Sequence, residues 1–454
     1  MLGVRIPSLT PNISWNLLAM IKQHFLTGAI GLAIALTATV HFFHDQKSLH
    51  AQTSTEHWRQ WGGPTRNFRA ADDTTSLATS WPESGPRQLW NRPLGEGYSS
   101  VLVDEGMLFT MYRENDNEVV IALDPTTGAT LWTFSYDAPL LNDGYFDVWL
   151  NSAGPGPYST PVIVDDLIVS IGVNGHLHAL DKRTGTLRWS HNLVNLFDVV
   201  EYNAFASSPL IFEDTVILPL GGSGRGVVAF QSETGAIAWQ SPPFDLGPGS
   251  PVLIEIGQQS QLLILGQQEV VGLNPDNGSR LWSHPHENEL GLNISMPVWG
   301  SDNLLFLSSA YDSGSRVLRL DHTSGQTTAT ELWFNNRIRL HFGNAVRIGD
   351  IVLGSTGDFG PAFMAALDVT TGQELWRERS FARAHLVLSD DKIVIVDEDG
   401  EIAVASVTPS GLNVYARHQL LTENAWTPPT LIGETLFVRD RKTILAVDLG
   451  TTEN

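Results

Sequence analysis

The chain contains no cysteine. That absence excludes disulfides, thiolate metal centres, covalently attached c-type haem and a lipidated N-terminal cysteine. Positive charge is scarce as well: 27 Lys and Arg stand against 49 Asp and Glu, a net charge of −22. Electrostatic binding to nucleic acid or to an anionic membrane surface is thereby disfavoured, whereas cationic partners stay open. Long hydrophobic runs are missing except for one, Phe25 to Phe43 (FLTGAIGLAIALTATVHFF), with Arg5 and Lys22 before it. It reads either as a single transmembrane anchor or as the core of a signal peptide, and both place the remainder of the chain outside the cytoplasm, in the periplasm of a two-membrane cell. Met20 offers a second start: M-I-K-Q-H, the apolar run and Leu49-His50-Ala51 resemble a basic region, a core and a cleavage site.

What the sequence has in quantity is a repeat. Ala122, Asp124, Gly128 and Trp132 form a pattern that returns at Ala179, Asp181, Gly185, Trp189 and at Ala366, Asp368, Gly372, Trp376. Weaker copies are Ala229, Gly235, Trp239; Gly272, Gly278, Trp282; and Asp321, Gly325, Trp333, the last with four extra residues before its Trp. A decayed copy spans Ala405 to Tyr415. In each, an apolar strand ends at an Asp that accepts backbone N–H bonds, a Gly supplies positive φ, and a second strand leaves carrying Trp. The spacing of 39 to 57 residues fits about four short strands per unit, the signature of a propeller.

The last copy, Ala446, Asp448 and Gly450, has no strand after it, while the Trp90 strand near the start has no Ala-x-Asp before it. Joining them predicts an all-β, eight-bladed β-propeller of four-stranded antiparallel blades, its ring closed by an N-terminal strand that completes the C-terminal blade. The expected layout is a leader at 1–24, the hydrophobic helix at 25–43, a linker and aromatic segment at 44–86 lying on the propeller, the propeller at 87–450 and a tail at 451–454. The segment WRQWGGPTRNF, with Trp58 and Trp61, is too aromatic for a free linker.

Naming the strands of each blade A to D, the A–B turns and Asp-x-x-Thr-Gly turns share one uniform face. The D–A and B–C connections share the other, where lengths and compositions vary, so a binding site is expected there, at the channel mouth. Candidates are Asp147, Trp149, Tyr202, Arg225, Arg337, Arg339, His341, Asp358 and Trp426. Arg225, Arg337, Arg339, Arg439 and Arg441 can hold a carboxylate or phosphate ligand, or instead pair with the acidic stretch Asp397 to Gly400 on a neighbouring blade. His176 and His178 share one side of a strand without a third ligand, so no metal site is expected. The glycine-rich GGSGRG at 221–226 lies between strands and has no helix N-terminus for an anion.

The Ala-x-Asp-x-x-Thr-Gly-x-x-x-Trp copies resemble the PQQ-like propeller repeats shared by quinoprotein dehydrogenases and the outer-membrane barrel assembly lipoprotein, over Trp90 to Gly450. Trp426 to Gly450 and the WGGPTRN leader are similar to exported bacterial propellers of this class. For the dehydrogenases the resemblance implies pyrroloquinoline quinone (PQQ), Ca²⁺ bound by carboxylate and Asn, and a vicinal Cys pair; for the assembly protein it implies a lipidated Cys. No cysteine is present, and the calcium ligands have no matching positions. The expectation is a non-catalytic binding or scaffold protein of the cell envelope without a cofactor, taking an envelope protein or a small ligand on its irregular face and touching membrane only through its N-terminal segment. The alternative is a quinoprotein oxidoreductase with a reduced site, its mouth Asp, Arg and Trp holding PQQ and Ca²⁺.

Overall fold

The computed structural model describes residues 57–71, 76–139, 154–198, 205–220, 226–358 and 360–450. The chain divides into units 1–50 and 51–454, and every described residue belongs to the second. The expected N-terminal helix at 25–43 therefore lies outside the described residues. Among those residues, no helix is long and apolar enough to cross a membrane.

Eight four-stranded antiparallel sheets make up the fold. In the first blade they are β2 (Leu102–Asp104), β3 (Met107–Glu114), β4 (Asn117–Leu123) and β5 (Thr130–Asp137). The sequence of β4, NEVVIAL, is almost continuously apolar because both faces of a middle strand are covered by neighbouring blades, and it is buried along nearly its whole length. By contrast β5, TLWTFSYD, alternates exposed and half-buried residues as an outermost strand should. Blades 2 to 7 repeat this scheme over 162–192, 210–240, 252–285, 298–335, 346–378 and 384–419. The eighth sheet has the order β1 (Arg87–Pro93), β32 (Thr443–Asp448), β31 (Thr435–Arg439), β30 (Thr430–Ile432), with Trp90 opposite Ala446.

The small residue and the Trp of the repeat face each other across strands C and D. Ala122 pairs with Trp132, Ala179 with Trp189, Ala229 with Trp239, Gly272 with Trp282 and Ala366 with Trp376, each beside a bulge. The indole then reaches the next blade. Trp90, Trp132, Trp189, Trp333 and Trp376 donate their ring N–H to the carbonyls of Pro125, Lys182, Ser232, Val369 and Thr408, at 2.8–3.0 Å. The motif glycine lies under that indole: a Cβ on Gly128, Gly185, Gly235, Gly278 or Gly372 would stand 2.5–2.7 Å from the preceding blade's Trp.

Blade 5 corrects one expectation. Asp321 caps no turn there; it sits inside β20 (Gly314–Thr323) opposite Thr328 of β21 (Gln326–Asn335), and the hairpin reverses at Ser324 and Gly325. The four extra residues before Trp333 lengthen both strands, and Trp333 pairs with Val317. Blade 5 therefore offers no Asp-x-x-Thr-Gly turn to Trp282, whose N–H goes instead to Gln261 Oε1, while Gln261 Nε2 donates to Thr327 of blade 5. A short helix, α1 (Leu193–Phe197), capped by Asn192, stands in the connection after blade 2.

Just ahead of the A strands, short polar side chains also link blade to blade around the channel. Ser100 N–H donates to Thr160 Oγ1, Thr160 N–H to Ser208 Oγ and Ser208 N–H to Ser250 Oγ, at 2.9–3.0 Å. The aromatic segment before the first strand lies across these inner strands. Trp58, fully buried, exchanges two backbone bonds with Val103; Arg59 O accepts from Ile163 N; Phe68 and Ala70 bond Leu388; and Ala78 N donates to Leu449 O. Asp104 anchors it, its buried carboxylate 2.6 Å from both Arg59 Nε and Lys182 Nζ.

Candidate functional site

A rigid ring of blades leaves the D–A and B–C connections free to vary, and on that face one register repeats. Tyr98, Tyr158, Phe342 and Trp426 each stand four residues before an A strand, in blades 1, 2, 6 and 8. Their rings form an arc: Tyr158 stacks on Tyr98 at 6.2 Å and 12°, Tyr98 lies 5.4 Å from Trp426, and Trp426 lies 4.8 Å from Phe342. Burial pushes the Tyr98 phenol up to about 12, partly opposed by the Arg441 cation, so it stays protonated at neutral pH.

Charged side chains thread between the rings. Arg383 lies over Phe342 at 5.4 Å, pairs with Glu398 at 3.1 Å and donates to the Asp358 carbonyl at 2.8 Å. Glu398 also accepts the Trp426 indole N–H at 2.9 Å. Arg339 bridges Asp358 at 2.9 Å and Asp312 at 2.7 Å, and Arg441 pairs with Glu96 at 2.8 Å. His341 is hydrogen-bonded through Nε2 to the Tyr311 hydroxyl; burial, assisted by the Arg383 cation, lowers it to about 4, so it is neutral at physiological pH.

The structure thus brings Arg339, His341, Asp358 and Trp426 into one connected patch. Arg337 is exposed and lies apart, beside Asn335 and Asn336 in a cleft against the Thr371–Glu374 turn of blade 6. Asp147, Trp149, Tyr202 and Arg225 fall outside the described residues. The arginines find acids, though not where the run Asp397 to Gly400 suggested: Arg339 and Arg441 use Asp358, Asp312 and Glu96, and the arginine that meets Glu398 is Arg383. Arg439 is fully buried and donates instead to carbonyls of blade 1, including Met111 O at 2.7 Å. His176 and His178 do share a side, 6.1 Å apart, but His178 packs 4.3 Å from Tyr136, whose hydroxyl goes to the buried Glu118. Tyr98, Tyr158, Tyr311, Phe342 and Arg383 were missed by sequence reading; alignment of the blades on their A strands is the signal that finds three of them.

These residues do not fit a quinone with calcium. A divalent ion needs several unengaged oxygens, and Asp358, Glu398 and Glu96 each carry a guanidinium. Among the described residues no group of three or more His, Cys, Asp or Glu could hold a metal ion. A flat ring needs an open aromatic floor, whereas Tyr98, Trp426 and Phe342 pack on one another.

Eight four-stranded blades, most of them joined by a small residue facing a Trp and by Trp–carbonyl contacts, define a PQQ-like β-propeller. A family model described as outer membrane protein assembly factor BamB matches residues 116–377, more than half of the chain, and the chain belongs to that family. The assembly factor BamB of Burkholderia pseudomallei is 22% identical over 369 residues, covering 72% of this chain and 90% of that one. The crystal structure of BamB from Moraxella catarrhalis superposes with a TM-score of 0.57 at 19% identity, covering 81% of this chain and 98% of that one. Quinohemoprotein alcohol dehydrogenase from Comamonas testosteroni gives 0.59 at 13% identity, covering 88% and 81%. Both likenesses are of fold.

Proposed function

We propose that the protein is an exported, non-catalytic propeller of the cell envelope that docks a partner protein on the face carrying the D–A and B–C connections. The observation that carries this reading is the arc in which half-buried Tyr158, Trp426 and Phe342 pack around the buried Tyr98, interleaved with Arg383 and Arg441: aromatic and Arg side chains held by their neighbours are what protein-binding surfaces use as anchors. Membership of the assembly-factor family supports the envelope setting. The apolar run 25–43 supports export, whether it is kept as an anchor or removed.

Affinity capture from envelope extracts tests this. The wild-type chain retains a partner at near-equal stoichiometry, and Trp426→Ala combined with Arg383→Ala loses it while still unfolding in one cooperative urea transition, which separates lost docking from lost folding. Retention by the double variant contradicts the proposal. Titration with PQQ and Ca²⁺ addresses the oxidoreductase reading: the mouth chemistry favours no saturable absorbance change and no dye reduction, and turnover would reinstate an enzyme.

A further inference from the structure

The leader meets the inner strands in a single register. It bonds Val103 in blade 1, Ile163 in blade 2 and Leu388 in blade 7. Each is the next-to-last residue of its A strand in the pairing with strand B, opposite Leu108, Ile168 and Ile393 respectively. An innermost strand has one edge in its sheet and the other toward the channel. The leader therefore shows how an extended chain adds to that second edge.

The same register in blade 4 falls on Glu255, opposite Ser260. Among the described residues, no backbone–backbone bond from outside the sheet reaches Glu255. Beside it, between leader residues Thr65 to Phe68 and β14 (Val252–Ile256), lies a groove of about 510 Å³, within the range that holds ligands. Ile254, Met296 and Trp299 give it apolar walls. Glu255 is exposed and makes no ion pair among the described residues, and the nearby Arg66 turns its guanidinium to the carbonyls of Pro209 and Ser208, at 2.9 and 3.4 Å.

We propose that this groove binds an extended, basic peptide segment of a partner protein, added as a strand to the free edge of Val252–Ile256 with a Lys or Arg side chain against Glu255. The groove continues the interface the leader already makes, and a chain of net charge −22 favours a cationic segment. The inference stands apart from the reading of the mouth face, which uses the other side of the ring.

The probe is a fluorescein-labelled Gly-Val-Lys-Val-Lys-Val peptide, titrated with the full chain and followed by fluorescence anisotropy. Saturable binding is expected, with the Glu255 amide exchanging more slowly in the complex. Glu255→Lys weakens binding at least tenfold. Glu213→Lys, the same charge change on an exposed turn of blade 3, leaves it within twofold. The peptide Gly-Pro-Lys-Pro-Lys-Pro keeps both lysines but loses the N–H donors a strand needs, and binds at least tenfold more weakly. Trp426→Ala changes nothing here, which separates this site from the mouth. Absence of saturable binding, equal affinity for the proline peptide, or equal losses in Glu255→Lys and Glu213→Lys would each overturn the proposal.

Discussion

Gly128 and Gly325 are both left-handed, at φ +69° and +78°, yet only the first lies beneath an indole. A Cβ on Gly128 would stand 2.6 Å from Trp90 Cε3, whereas one on Gly325 would meet nothing within 4 Å. An alanine in the left-handed region costs about 1–2 kcal/mol at either site. Forcing a methyl against a packed ring adds about 1–3 kcal/mol more. Gly325→Ala should therefore lose about 1–2 kcal/mol and Gly128→Ala about 2–5, measured by urea unfolding followed by far-UV circular dichroism. Trp90→Ala alone should lose about 3–5 kcal/mol, because it removes a buried indole from the seam between blade 8 and blade 1. Combining it with Gly128→Ala should cost less than the two losses added, since the methyl then has no ring to meet. Equal losses in the two glycine variants, or strict additivity in the pair, would refute the view that Trp and Gly form an interblade lock.

The anchoring of the leader is tested at Asp104: Asp104→Asn leaves the buried Lys182 only Glu105, 3.5 Å away, as a charged partner, a loss of at most about 3–5 kcal/mol, and limited proteolysis should then cut near Trp58. Burial lowers His385 from 6.5 to about 4, so the unfolded chain binds a proton between those values that the folded chain refuses. Stability is thus complete above pH 6.5 and falls toward pH 4, this one group accounting for about 3 kcal/mol. His385→Asn should lessen the fall of the urea midpoint between pH 7.5 and 4.5, the buried neutral His341 keeping its own share, and an unchanged slope would show the ring is not neutral and buried. Arg439→Met takes the guanidinium donor from the carbonyls of Met111 and Ser99 in blade 1, the latter keeping the Thr110 hydroxyl, and should lose about 1–3 kcal/mol, whereas a gain would mean the buried charge outweighs its bonds.

The ring of blades was legible because its Ala, Gly and Trp are set by local requirements: a small residue opposite a large one, a positive φ, an indole that must lie on a glycine. Asp321 misled because residues added to both sides of a hairpin shift the turn without disturbing either strand pattern. The aromatic leader was legible from Trp58 and Trp61, but its partners were not, since Val103, Ile163 and Leu388 are ordinary strand residues until the ring brings them together. At the mouth, Arg339, His341, Asp358 and Trp426 stood out as polar or aromatic residues in irregular loops. Tyr98, Tyr158 and Phe342 did not, because their common position appears only when strands of unlike sequence are placed in register. Arg383 was hidden for a different reason: it sits just before its A strand, and its partners Glu398 and Phe342 lie on two other connections, 15 residues after it and ahead of blade 6.

Site-specific photocrosslinking in envelope fractions tests the docking face most directly. A photoreactive amino acid at position 426, in the arc, should give one discrete adduct, and the same group at position 131, where Leu131 is 50% exposed on the outer strand of blade 1, should give none. Equal adducts from both positions, or an adduct from 131 alone, would contradict the account.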